Sequence, residues 1–318
     1  MTGIAYSGNH NTTPGFQIPT LLEFVETTRE RLKEPLRVPD YAAAGEENSV
    51  SAAMQAIRDD PYALRAALAE SVKRLDSRFQ EGSLRPISYG DYPQLYRAGL
   101  FVTAVTKELA NTDLLIRLYT AKRPEDRYQA MAASYLDKAW IYISDRFFRE
   151  LQMVDGGELC FLIGHELGHA HCRHTTIQFL GGGDVGRNGE YSADRSGLIV
   201  CAKWLAAQDP ELAPEQAARQ AVLCGLSMLD KLEVACRGGM DWREYDRQAL
   251  ADRLQGWLDD PNHLPPDGST HPCNARRALA MYHFSRSRLF YRCAGLPIQG
   301  QTLLDDGMLR EFMNTLLS

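Results

Sequence analysis

"CFLIGHELGHAHCRH", residues 160–174, sets four histidines and one glutamate into a short stretch behind the apolar lead "GELCFLIG" at 157–164. The apolar residues before and between the polar ones predict a buried helix. His165 and His169 are one turn apart, about 40 degrees round at 3.6 residues per turn, so both imidazoles face the same way and can converge on one tetrahedral zinc. Glu166 stands about 100 degrees round from His165. That is too far to be a natural ligand, but it suits a general base that accepts a proton from a metal-activated water. A catalytic zinc keeps one position open, so three protein ligands are expected and one remains to be found.

Three residues compete for that place. His174 lies about 140 degrees round from His169 and reaches the pair only if the helix breaks. The longer metzincin pattern fails as well, because Cys172 stands where its glycine belongs and Thr175 where its third histidine belongs. Asp184 lies in the Gly-rich stretch "GGGDVGRNG" at 181–189, where nothing fixes its direction. Glu190 opens "EYSADRSGL", the start of a second helix, with Asp194 four residues later on the same face. Glu190 can bind the metal while Asp194 accepts the free ring N–H of a ligating histidine and fixes its tautomer. The competing explanation is a buried amphipathic helix whose histidines hydrogen-bond internally.

Working outward, the 318 residues carry 35 basic and 41 acidic side chains, a net charge of −6, which gives no basic excess to hold phosphates and argues against nucleic acid as a partner. The longest apolar runs, "AGLFVTAV" at 98–105 and "GLIVCAKWLAA" at 197–207, are too short for an integral membrane segment. "MTGIAYSGNHNTTPGF" at the start lacks the basic and apolar regions of a secretory signal. Seven cysteines at irregular spacing, an odd number without a CxxC pair, fit free thiols in a reducing compartment. A cytoplasmic location is expected.

Helical spacing at 21–32 and again at 60–79, where Asp60 and Pro61 supply a start signal, predicts a helical lead-in over residues 1–90. "TDLLIRLYTAK" at 112–122 and "KAWIYISDRFF" at 138–148 read as strands, so a small sheet precedes the histidine helix. Beyond 190 the pattern is helical, broken at 209–216 and 259–272, with a last helical portion over about 272–292. The expected fold is α+β, predominantly α, with the chemistry in residues 91–318.

"FLIGHELGHAHCRH", "EYSADRSGL" and "THPCNARR" in that order resemble metallopeptidase family forty-eight, the zinc gluzincins that include the CAAX prenyl endopeptidases and the HtpX-like heat-shock proteases. The resemblance covers roughly residues 112–290. It implies a gluzincin-type zinc endopeptidase that takes a peptide or protein substrate and holds one zinc per chain on His165, His169 and Glu190. Glu166 would be the base and Asp194 the support for a ligand. The family's His-Pro element and later arginine fall on His271, Pro272 and Arg277, which implies that His271 and Arg277 stabilise the oxyanion of the tetrahedral intermediate. Pro272 at a first helical position would make His271 the N-cap. The family's edge segment for substrate backbone has its nearest equivalent in "QAMA" at 129–132, with Gln129 where an asparagine is usual.

The chain departs from the best known members in lacking their spanning helices, which speaks against prenylated tails as substrates. Cys273, two residues after His271, is a candidate to reach the metal and hold the enzyme latent. Two other functions fit the same residues: a zinc hydrolase of a non-peptide amide, and a non-catalytic binding or chaperone-like module with structural zinc.

Overall fold

The computed structural model describes residues 69–77, 83–122, 129–135, 138–149, 155–172, 186–237, 247–267, 271–300 and 303–309, apart from 71, 299 and 306. The helix expected over 21–32 lies outside the described residues, as do His174 and Asp184. Of the helix expected over 60–79, the described part at 69–77 is helical.

The fold is α+β, mostly helical with one small mixed sheet. In chain order its elements are β1 (Ser83–Pro86), α1 (Pro93–Ala110), β2 (Asp113–Thr120), β3 (Ala130–Tyr135) and β4 (Lys138–Ser144). There follow α2 (Arg146–Arg149), α3 (Gly156–His171), α4 (Gly186–Gln208), α5 (Pro214–Arg237), α6 (Arg247–Asp259), α7 (Asn274–Ser285) and α8 (Arg288–Ala294). The spatial strand order is β1-β2-β4-β3. β4 slots between its two predecessors, parallel to β2 and antiparallel to β3, which leaves β3 on an edge.

Period-two alternation decides the sheet's two faces. Leu114, Ile116 and Leu118 of β2 and Ala139, Ile141 and Ile143 of β4 point to one side and are buried in the main core with α1 and α3. On the other side, Tyr119, Ala133 and Tyr142 close over Leu75 from the 69–77 helix. The Tyr142 hydroxyl donates to Asp76 Oδ1 at 2.7 Å and Arg117 Nη1 donates to the same oxygen at 3.1 Å. The lead-in expected to be helical over 1–90 thus contains a strand: β1 at Ser83–Pro86 pairs with β2, and Asp76 ties the helical part at 69–77 to the same sheet.

α3 begins where Asp155 accepts hydrogen bonds from the N–H groups of Gly157 at 2.7 Å and Glu158 at 3.2 Å. Its side chains are buried nearly all round, because α1, α4, α5 and the sheet enclose it. Truncating the cap in Asp155→Ala is expected to cost about 1 kcal/mol, lowering the Tm by about 2–4 °C for a chain of this size. An unchanged melting curve would show that Asp155 does not hold the helix start.

The contact between α3 and α4 is the most extensive helix pairing among the described residues. It depends on Gly164 and Gly168. A Cβ on Gly168 would lie 2.8 Å from the Ala193 Cα, and one on Gly164 would lie 3.1 Å from the Gly197 Cα. Both obstacles are backbone, so a larger residue forces the helices apart.

Candidate metal centre

Tight helix packing sets the position of Glu190. With the glycine face of α3 against α4, the first described turns of α4 run alongside the last turns of α3, and Glu190 faces His165 and His169. Residues 186–189, expected in a Gly-rich break, already belong to α4. One nitrogen from each histidine and one Glu190 oxygen all lie within 4.8 Å of one another, a group able to hold a metal ion.

His165 Nε2 lies 3.0 Å from His169 Nε2 and 3.6 Å from Glu190 Oε2, and His169 Nε2 lies 3.5 Å from Glu190 Oε1. The other ring nitrogen of His165, Nδ1, is 3.0 Å from Asp194 Oδ1. Burial alone would raise the Asp194 pKa, but the Arg277 guanidinium and the hydrogen bonds from Arg277 and His165 outweigh it and hold the carboxyl at about 2. Asp194 is thus an acceptor only, and His165 Nδ1 must carry the proton. His165 Nε2 is then the ring nitrogen left facing His169 and Glu190. Two imidazoles and a carboxylate converging in this way are a donor set suited to zinc, and a shared cation satisfies all three.

Glu166 is buried beside this group but is not one of its members. Burial is the main cause of the rise in its pKa to about 7. The Glu190 carboxylate raises it further, while His165 and Arg277 oppose the rise. A carboxyl poised there can both accept and return a proton near neutral pH.

Two residues expected to act together sit in different surroundings. His271 keeps 59% of its side chain exposed, with Nε2 3.6 Å from Glu190 Oε1, at the open side of the site. It is not the N-cap expected for it; Cys273 takes that place and α7 starts at Asn274. Arg277, expected alongside His271 at the oxyanion, is buried. Its Nε donates to Asp194 Oδ2 at 2.8 Å, its Nη2 donates to Asp194 Oδ1 at 2.6 Å, and Nη2 lies 3.3 Å from Glu190 Oε2. Its guanidinium is a bidentate brace for the carboxylates behind the histidines.

The Cys273 thiol is not within the metal-competent group. Its surroundings are Asp267 and Arg276, burial pushes its pKa up, and its backbone N–H donates to Asp267 Oδ1 at 2.9 Å. The "QAMA" segment places Ala130, Met131 and Ala132 on the edge strand β3. Ser134 of that strand donates to the Ala170 carbonyl at 2.8 Å, next to His169.

Neither Arg277's tie to Asp194 nor the glycine contact was read from the sequence. For the contact a signal exists: Gly164 and Gly168 on one helix, and Ala193 and Gly197 on the other, repeat at four residues. In Gly168→Ala the added methyl is expected to cost about 1–3 kcal/mol and to move Glu190 away, so that zinc affinity falls. Wild-type zinc affinity in that variant, by competition with a chromogenic chelator, would break the link between packing and site. Compared with known proteins, the chain matches no family model, and no curated protein matches it.

Proposed function

We propose that the chain is a zinc-dependent endopeptidase of gluzincin type, with one zinc held by His165, His169 and Glu190. The observation that carries this reading is the pairing of a three-donor group with Glu166, a buried acid of raised pKa lying outside the group. A structural site has no use for such a base. When bound, zinc would supply Lewis acidity, lowering the pKa of water and polarising a carbonyl.

The protein's own groups do the rest. Asp194 orients His165 through Nδ1, and Arg277 keeps Asp194 ionised. Glu166 takes a proton from the attacking water and returns it to the leaving amine, so one carboxyl acts in both directions. His271, exposed and near Glu190, donates to the oxygen that becomes negative. An extended peptide adds along the edge of β3, its backbone pairing with Gln129–Ala132 and the following residues, which gives affinity without narrow sequence preference. No described helix is long and apolar enough to cross a membrane, and the six described cysteines are free thiols, which supports placing the enzyme in a reducing compartment such as the cytoplasm.

The test is incubation of zinc-loaded protein with casein, a peptide library and a panel of non-peptide amides, with new termini read by mass spectrometry. Peptide cleavage that a chelator removes and zinc restores is the expected result. Cleavage confined to the other amides, or zinc binding without turnover, would replace this reading with one of its two rivals.

A further inference from the structure

At the other end of α3 from the histidines lies a cavity of about 110 Å³, smaller than the ~150 Å³ that admits benzene. Asp155, Glu158, Ser227, Lys231 and Arg247 form its polar wall, and leucines of α5 and α6 the rest. Two carboxylates and two cations leave that wall without net charge, so hydrogen-bonding capacity decides what it takes up. The acceptors are spent. Asp155 Oδ1 accepts from the N–H groups of Gly157 and Glu158, and its Oδ2 from Arg247 Nη2 at 2.6 Å. Glu158 Oε1 accepts from Ser227 Oγ at 2.6 Å, and its Oε2 from Lys231 Nζ at 2.5 Å. Donors are in surplus. Among the described residues, Lys231 spends one of its three N–H groups and Arg247 one of its five. Lys231 is buried, so the rest of its donors have to be met inside the cavity rather than by bulk solvent. Arg247 is 54% exposed at the rim, which opens the cavity to solvent. The positive end of the α3 dipole lies at the same wall and favours negative charge.

We propose that this cavity binds a small carboxylate, its oxygens accepting the unspent N–H groups of Lys231 and Arg247 and its short alkyl part lying against Leu223 and Leu250. The planar guanidinium at the rim matches the two oxygens of a carboxylate, and the ammonium behind it supplies a compact charge out of reach of bulk water. A cation finds no such welcome, because each carboxylate oxygen on the wall already accepts a hydrogen bond. The volume limits the ligand to a few heavy atoms, about the size of acetate and its nearest homologues. Because the wall is made by the start of α3 together with α5 and α6, the bound anion joins three helices and stabilises the folded chain. This inference stands apart from the metal reading, since none of these groups belongs to the cluster of His165, His169 and Glu190.

The experiment uses the full-length chain stripped of metal with a chelator, so that no carboxylate can bind through zinc. Methyl-labelled acetate is titrated in near neutral pH, with sodium chloride holding the ionic strength constant, and followed by NMR on leucine-labelled protein and by the melting temperature. The expected result is saturable binding, a rise in Tm that chloride alone does not give, and nuclear Overhauser contacts from the acetate methyl to Leu223 and Leu250. Arg247→Gln removes the guanidinium from an exposed position and should weaken acetate about 10–100-fold. Absence of saturation, contacts to other leucines, or wild-type affinity in Arg247→Gln would overturn the proposal. Inorganic phosphate is titrated in parallel, and phosphate binding here in place of acetate would overturn the assignment to a carboxylate. The contact map of the wild type decides even if the variant fails to fold.

Discussion

Glu166→Gln is expected to bind zinc like the wild type and to lose about 10²–10⁴-fold in kcat. The substitution keeps size and shape in a buried position and removes only the ability to take up and release a proton. Because the proposed mechanism gives the attacking water and the leaving amine the same carboxyl, both halves of the turnover are expected to fail together. A pKa raised to about 7, chiefly by burial, suits it to the proposed two-way proton transfer. Elemental analysis and peptide hydrolysis on the same preparation check the two halves of the prediction. Turnover at the wild-type rate would remove Glu166 from the mechanism, and loss of zinc would make it a ligand or a structural residue.

Arg277→Ala is expected to be the most destabilising change at the site, by about 3–5 kcal/mol, because it leaves Asp194 buried without its cation. Zinc affinity should fall about 10–100-fold, since the carboxylate that orients His165 is no longer held. Arg277→Lys restores the charge but not the two-pronged geometry, and should fall between. The pH dependence follows from the same pair. Asp194 is depressed from 3.8 to about 2, so the stability it contributes is complete above its ordinary value and is lost as pH falls through the lower one. In Arg277→Ala the folded-state pKa of Asp194 rises, so that acid-limb loss shrinks, and it reverses once burial carries the carboxyl above its ordinary value. Chemical denaturation across the acid range, with chelator competition for zinc, measures both effects. A variant as stable as the wild type would show that the brace is idle.

The part of this architecture legible in the sequence is the part governed by local period. β2 and β4 were readable because their runs are rich in Ile, Leu, Tyr and Trp and too short for helices, and α3 because an apolar run surrounds regularly spaced polar groups. β4 ends earlier than its apolar run, and the expected strand tail at 146–148 turns into α2, burying Phe147 and Phe148. β3, "AMAASY", has little intrinsic strand preference; pairing with β4 makes it a strand. The helix expected over 272–292 is two helices, since Ser287 caps a new start by accepting from the Phe290 N–H at 3.1 Å. The convergence of His165, His169 and Glu190 could be argued from spacing, because i,i+4 geometry and the downstream ExxxD are local. Arg277's position could not, because it depends on how α7 packs against α4, which no short spacing encodes.

Anomalous diffraction at the zinc edge, from crystals of the chain loaded with one equivalent of zinc, tests the central claim most directly. The account predicts one strong peak among His165 Nε2, His169 Nε2 and the Glu190 carboxylate, about 2.0–2.2 Å from each ligand atom, with Glu166 outside the coordination sphere. A peak elsewhere, or zinc bound through Glu166, Cys273 or a fourth protein group that closes the site, would contradict it.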